Sequence, residues 1–335
     1  MSKLTAPTGY KSVLSIYETQ IAIGSLKRAF EDNLSKALNL KRVSAPLFLE
    51  PQTGLNDDLD GIQRPVEFEI KEIGKWAHIS HSLAKWKRVA LKNYRFPSGE
   101  GLYTDMNAIR RDDEIDNLHS VYVDQWDWEK VISASDRTLD YLKSTVVKIV
   151  DAICDTQDTM VMLFPKLIHS VSREVSFVTT QELEDRYPSL SDNERENEYV
   201  KEHKTAFVMQ MGDVLKSGQK HGVRAPDYDD WKLNGDLLFW SDILGRAVEI
   251  SSMGIRVDEK SLDEQLIKAN CDHRRKLQYH KMLLAGELPL TIGGGIGQSR
   301  LCMLLLRKAH VGEVQVSIWD DATIEGCKKA NIELL

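Results

Sequence analysis

Cysteine is scarce and scattered, with only Cys154, Cys271, Cys302 and Cys327 in 335 residues. None forms a CxxC pair, which removes zinc ribbons and disulfide scaffolds and leaves reduced thiols, as in a cytosolic protein. Long apolar runs are missing too. No stretch approaches the ~18 consecutive apolar residues of a membrane span, and MSKLTAPTGYK lacks the apolar centre of a signal peptide. A cytoplasmic chain without membrane contact is therefore expected. Positive charge is not in excess: 44 Lys and Arg face 51 Asp and Glu, a net of −7, which argues against a nucleic-acid partner. No repeat, low-complexity linker or composition break divides the chain, so residues 1–335 are expected to form a single catalytic domain. No GxSxG, no HExxH and no Cys/His nucleophile pair is present. Residue 2 is serine, which excludes an N-terminal cysteine glutaminase. His78 and His81 lack a third ligand at metal spacing, so a structural role is expected for them.

What is there is ordinary globular composition, 42% hydrophobic, in a chain long enough to bury ~75% of its unfolded surface. Ile23, Leu26, Phe30, Leu34 and Leu38 predict an amphipathic helix. KRVSAPLFLEP reads as a short strand containing Pro46. VEFEI (66–70) alternates, with KWAHIS returning across Gly74. From Ser82 a helix is expected to turn Leu83, Trp86 and Val89 or Ala90 inward, leaving Lys87 at its edge and Arg88 solvated. Leu142, Val146, Ile149, Val150 and Ile153 mark a long helix with Cys154 in the core. SFVT and AFVMQM read as buried strands around a charged helix. GDLLFW and AVEISSMGIRV read as a hairpin, followed by helices over 261–269 and 274–284. TIGGG, a helix over LCMLLLRK and a strand VQVSIW close the chain. Antiparallel strands flanked by helices, without regular βαβ alternation, predict an α+β fold.

Three segments carry candidate chemistry. Thr291 to Arg300, TIGGGIGQSR, puts four glycines before an apolar helix. Such a segment lets a flat or phosphorylated ligand approach the backbone. A tight strand-to-helix turn would need the same glycines, but Arg300 directly after them favours a nucleotide. In NGDLLFWSDILGRAVEISSMGIR a hairpin brings Asp236 and Glu249 together, as a magnesium-holding pair requires. A charged, solvated hairpin face is the alternative. Strand parity groups 249, 251, 253 and 255 and sends Arg256 to the other face unless a bulge intervenes. In VYVDQWDWE, Gln125, Asp127 and Glu129 share one face, with Trp126 and Trp128 on the other. Clustered acceptors suit an ammonium group, though a strand also exposes polar side chains to water. RAPDYDDW reads as an acidic loop with a capacity for cations.

HSLAKWKR, GEGLYTDMNAIR, LHSVYVDQWDWE, RAPDYDDW, LNGD, EISSMGIR and TIGGGIGQSRL occur in this order from about residue 11 to the C-terminus. The series resembles the ammonia-dependent (type A) asparagine synthetases, within the class II aminoacyl-tRNA synthetase superfamily. The resemblance implies an antiparallel sheet flanked by helices, a homodimer, and conversion of L-aspartate, ammonia and ATP to asparagine, AMP and pyrophosphate through a β-aspartyl adenylate. It implies that Arg110 and Arg300 bind ATP phosphates with Glu249, Ser251, Gly295 and Gly297, and that Asp236 and Glu249 hold Mg2+. It further implies that Ser82, Lys87, Gln125, Asp127, Ser252 and Arg256 bind aspartate. Arg256 follows Glu249 by seven positions, as does the arginine that reads the side chain in aspartyl-tRNA synthetases. Asp57, with Asp229 as second candidate, would take the proton from ammonium. Two departures stand out: Asp112 replaces the usual glutamate two residues after Arg110, and only Lys232 separates RAPDYDDW from LNGD. A class II tRNA synthetase paralogue is the alternative; it would need an anticodon-binding domain and a basic surface.

Overall fold

The computed structural model describes residues 4–57, 59 and 63–335. Its helices are α1 (Ile16–Leu38), α2 (Ala84–Asn93), α3 (Leu139–Leu163), α4 (Thr180–Arg186), α5 (Asp192–His203), α6 (Glu259–Lys268), α7 (Gln278–Leu284), α8 (Gln298–Leu305) and α9 (Asp321–Lys329). The strands are β1 (Leu40–Arg42), β2 (Phe48–Leu49), β3 (Glu67–Ile70), β4 (Lys75–Ile79), β5 (Gly101–Ile109), β6 (Tyr122–Val131), β7 (Ser176–Thr179), β8 (Thr205–Met209), β9 (Asp229–Ser241), β10 (Arg246–Arg256) and β11 (Thr291–Gly297). The large sheet runs β1-β5-β6-β11-β10-β9-β8-β7, and a small sheet runs β2-β4-β3. The large sheet is antiparallel except at its two edges, where β1 lies parallel to β5 and β7 parallel to β8.

The two faces of this sheet are chemically different. Trp126 and Trp128 on β6, Leu237 and Phe239 on β9 and Ile296 on β11 point into the main core, against Phe30, Leu26 and Leu34 of α1 and Val146, Ile149 and Ile153 of α3. Trp126 meets Phe30 at a ring-centroid distance of 4.7 Å. Removing this much apolar surface from water is the main stabilising term of the fold. On the opposite face of β6 stand Gln125, Asp127 and Glu129, and Lys87 of α2 meets Asp127 there.

Helix α1 begins with a capping box between Ser15 and Glu18 and ends on Asn39 in the left-handed region. Its buried stripe is Thr19, Ala22, Leu26, Phe30, Leu34 and Leu38, with Ile23 only partly covered. Several sequence expectations need correction. Pro46 lies between two short strands, because a residue without an N–H cannot extend the ladder. VQVSIW forms no strand: Val316 and Ile318 are 70% and 84% exposed, with no neighbouring strand to pair. SFVT is a half-buried edge strand, separated from AFVMQM by two helices. Lys87 and Arg88 are 1% and 2% exposed, so α2 buries its charges. Arg88 reaches the carbonyls of Pro289 and Val257 at 2.8 and 2.6 Å.

Candidate active site

A bulge decides which side chains of β10 enter the site. Glu249 pairs with Leu238 and Ser251 with Leu237, so two steps on β10 match one on β9 and Ile250 is the extra residue. Such a bulge reverses the parity of every later residue in the strand. Ser252 then pairs with Asp236, and Arg256 joins the face that carries Glu249. Across β11 the register is Ser252–Gly295–Asp127 and Gly254–Gly293–Glu129. Glu249, Ser252 and Arg256 therefore share a face with Gln125, Asp127 and Glu129. Ser251 does not. It pairs with Leu237 and Ile296 on the core side, is 1% exposed, and its hydroxyl has no hydrogen-bond partner among the described residues. Its expected place in the nucleotide site is thus corrected by the bulge.

The glycines of β11 form the floor of the trough. A Cβ on Gly295 would lie 2.5 Å from Gln125 Oε1 and 2.8 Å from Asp127 Oδ1. One on Gly293 would overlap the Glu129 carboxylate and the Arg256 guanidinium. The missing side chains are the space through which these groups cross the strand. Lys87 reaches down from α2, donating to the Gly294 carbonyl at 2.9 Å and meeting Asp127 Oδ2 at 3.0 Å. Burial, opposed by Asp127, pushes the Lys87 ammonium below its usual range. Asp127 Oδ1 has no partner among the described residues and is buried, an open acceptor in the trough.

Arg256 is clasped rather than free. Its Nε and Nη2 donate to Glu129 Oε2 at 3.0 and 2.8 Å, and Nη1 donates to Asp229 Oδ1. Arg224, absent from the sequence-based candidates, donates to Asp236 Oδ1 at 2.5 Å and to Ser252 Oγ. Its position just ahead of the acidic run was the available signal. Glu129 was legible by parity, as one of three acceptors on one face. Asp57 is 4% exposed; its carboxylate accepts from Leu59 N at 3.1 Å, and its carbonyl lies 3.0 Å from His81 Nδ1. Burial and then the Asp57 charge push the Tyr228 phenol up. Asp229 and Asp230 open β9, so RAPDYDDW is partly strand. Ser82 Oγ accepts from Ala84 N at 3.1 Å, at the start of α2.

At the other end of the trough a cleft of about 420 Å³ is lined by Arg110, His119, Gln125, Glu249, Gly295, Gly297 and Arg300 among others. Arg110 Nη2 donates to the His81 carbonyl at 3.3 Å, and its Nε has no partner among the described residues. Gly297 precedes α8, and Arg300 follows in its first turn. Arg300 donates to the Glu249 carbonyl at 3.0 Å and to His119 Nε2 at 2.8 Å, and lies 3.6 Å from the Glu249 carboxylate. His119 Nδ1 in turn bonds Asp116 Oδ1 at 2.8 Å. Against the burial that would raise it, this bond and two backbone N–H groups hold Asp116 at about 2. Asp112 is tied to Arg64 by bonds of 2.5 and 3.1 Å and takes no part in the cleft.

Burial pushes the Asp236 carboxyl up to about 6, with Arg224 opposing and the Glu249 charge adding to the rise. Asp236 and Glu249 stand on one face of the β9–β10 pair, Asp236 opposite Ser252 and Glu249 opposite Leu238. No group of three or more His, Cys, Asp or Glu side chains placed to hold a metal occurs among the described residues. Two carboxylates that completed their shell with phosphate oxygens and water would fit Mg2+, which keeps waters and takes few protein ligands.

A family model described as aspartate–ammonia ligase matches residues 17–331. The aspartate–ammonia ligase of Clostridium perfringens is 56% identical over 336 aligned residues, covering all of both chains. That of Ruminiclostridium cellulolyticum is 57% identical over the same span and coverage. Among solved structures, the asparaginyl-tRNA synthetase of Pyrococcus horikoshii complexed with asparaginyl-adenylate superposes with a TM-score of 0.65 at 13% identity, over 90% of this chain and 68% of that one. The aspartyl-tRNA synthetase of Entamoeba histolytica gives 0.59 at 16% identity, over 90% and 59%. At this identity the likeness concerns the fold, that of a class II synthetase core.

Proposed function

The chain belongs to the aspartate–ammonia ligase family, and from this premise we propose that it condenses L-aspartate with ammonia at the expense of ATP. The products are asparagine, AMP and pyrophosphate, formed through a β-aspartyl adenylate. The observation that carries this reading is the order of side chains along β11. Arg300, Arg110 and Glu249 gather at its Gly297 end, while Lys87, Asp127, Glu129 and Arg256 lie over Gly293 and Gly295. One end suits phosphates and the other a small zwitterion with a second carboxylate.

A carboxylate does not accept ammonia until its oxygen becomes a good leaving group. In the first step the aspartate β-carboxylate attacks the α-phosphorus of ATP and pyrophosphate departs. Negative charge builds at that phosphorus, and Arg110 and Arg300 are placed to stabilise it. Magnesium, held by Asp236 and Glu249, supplies charge neutralisation on the phosphate oxygens when bound. The substrate ammonium meets Asp127 Oδ1 and Gln125, with Ser82 and Ser252 at the margins. Lys87 spends two N–H groups on protein acceptors among the described residues, leaving one for a substrate carboxylate. Arg256, prealigned by Glu129 and Asp229, presents its remaining face to the other carboxylate. In the second step ammonium gives a proton to Asp57, with Asp229 as the alternative base. The ammonia so formed attacks the acyl carbon, AMP leaves, and the second proton shed by the nitrogen passes to the phosphate oxygen of the departing AMP.

The chain is proposed to act as one catalytic unit over residues 1–335 and as a homodimer. The apolar side chains that α1 and the small sheet leave uncovered, Tyr17, Phe48 and Trp76, support this; sedimentation velocity checks it. The decisive assay supplies ATP, magnesium and aspartate with and without ammonium. Stoichiometric AMP and asparagine appearing only with ammonium is the expected result. ADP in place of AMP would refute the adenylate, and pyrophosphate exchange without asparagine would favour an amino-acid-activating tRNA synthetase paralogue, with tRNA the acceptor to test next.

A further inference from the structure

Behind the aspartate end of the trough lies a second charged cluster that the two chemical steps leave unused. Asp227 and His280 are fully buried, Lys85 is 3% exposed and Arg274 7%. Asp227 Oδ2 accepts from Arg274 Nη1 at 2.8 Å, lies 2.9 Å from His280 Nε2 and takes Lys85 Nζ at 3.4 Å. Although burial alone would raise it, the charge of Lys85 and the partners His280 and Arg274 keep the Asp227 carboxyl well below the usual range. Four separate pieces of chain meet here: the turn before β9, α2, the 3₁₀ turn Asp272–Lys276 and α7.

A buried ion cluster is a weak means of stabilising a fold, since each charge gives up its hydration and apolar packing serves as well. What such a cluster does better is set a single geometry. Asp227 stands two residues before Asp229, and Lys85 two before Lys87. On a helix that offset turns the two lysines to nearly opposite faces, so α2 is wedged between the sheet, through Lys87, and the Asp227 turn, through Lys85. The backbone of the turn is held independently. Gln265 Nε2 donates to the Pro226 and Asp229 carbonyls at 2.9 and 3.0 Å, and Val257 N donates to Tyr228 O at 2.9 Å. Those bonds attach the turn to α6 and to the end of β10. Among the described residues, it is the Asp227 contacts that attach it to α2.

We propose that Asp227, with Lys85, Arg274 and His280, is a positioning device for the aspartate and ammonium end of the site. It sets Asp229, and through it Arg256, against the helix that carries Lys87, and touches neither substrate. The inference rests on the proposed placement of aspartate and ammonium. The phosphate end, built on Arg110, His119, Glu249 and Arg300, shares no contact with the cluster among the described residues and should not respond.

The test is steady-state kinetics on Asp227→Asn and His280→Gln, with KM for aspartate, ammonium and ATP measured separately and thermal melting alongside. Asp227→Asn is expected to raise the aspartate and ammonium KM by about tenfold, while the ATP KM stays within about twofold. His280→Gln leaves Asp227 its cations and should show the same pattern, smaller. Equal rises in all three KM values, or a lower kcat with every KM unchanged, would overturn the proposal and leave a merely structural cluster. If Asp227→Asn does not fold, His280→Gln decides by the same pattern. The wild-type assay separates the two levels: no AMP and asparagine there would refute the functional reading itself, before any variant is compared.

Discussion

Arg256 is fixed by its protein partners alone. Two carboxylates take three of its N–H groups in fixed directions. Arg256→Ala would leave Glu129 and Asp229 buried without a counter-charge, a loss of about 3–5 kcal/mol that confounds any kinetic reading. Arg256→Lys keeps the charge but not the fork. It should raise the aspartate KM at least about tenfold and leave the ATP KM within about twofold; an unchanged aspartate KM would remove Arg256 from substrate binding. Gly295 offers a complementary test. A methyl there meets Gln125 and Asp127 at 2.5 and 2.8 Å, so Gly295→Ala should cut kcat/KM for aspartate by about tenfold or more, roughly 1.4 kcal/mol. Circular dichroism should stay that of the wild type, because both displaced groups are ends of flexible side chains.

Helix α1 shows how far local signals reach at the scale of an element. Its start is written in Ser15 and Glu18, its end in Asn39, and its buried face in a 3–4 residue apolar rhythm. Ser15→Ala should lower unfolding stability by about 1 kcal/mol, read as a shift in denaturant midpoint at constant m-value. Helix α2 and strand β10 are legible as elements, but not in which charged side chains they bury. Lys85, Lys87 and Arg88 look like a solvated face until the acceptors from β11, the Asp227 turn and the 257 and 289 carbonyls close over them. In β10 the parity of Arg256 depends on one extra residue, Ile250, and the register of a bulge is a property of the paired strand. VQVSIW alternates as a strand should, yet finds no partner and stays irregular.

One buried group outside the substrate-binding residues ties the stability of the whole molecule to pH. His310 is fully buried, accepts from Gly312 N at Nδ1 and stacks edge-on with Trp319 at 4.8 Å. Burial pushes its imidazole down to about 4. Between that value and the ordinary ~6.5 the unfolded chain binds the proton and the folded chain does not, so stability falls as pH falls through this window. About 2 kcal/mol should be lost between pH 7 and pH 5 on this account, and His310→Asn should flatten that slope in urea titrations. The proposed magnesium pair, Asp236 and Glu249, makes the nucleotide end the place to test for metal dependence. Chelation of divalent ions should abolish AMP formation and its return restore it. ATP at about 100 times its Kd should add about 2.7 kcal/mol of stability with magnesium and clearly less without it.

Composition and local pattern alone determined the class of this molecule: its charge balance, its α+β element order, the apolar stripe of α1, the core face of α3, and Gln125, Asp127 and Glu129 on one side of β6 with the tryptophans on the other. Those features rest on spacing within one segment, which a linear chain displays. The series of motifs also carried the family. Tertiary structure decided the rest of the site. Whether Arg256 or Ser251 enters it turns on a one-residue bulge, and the burial of Lys87 turns on the glycines of a strand about 200 residues away. The partners of Arg224 and Asp227 come from separate segments of the chain. Each of these depends on which charges meet across the fold with water excluded, and that energy belongs to pairs of residues brought together in space.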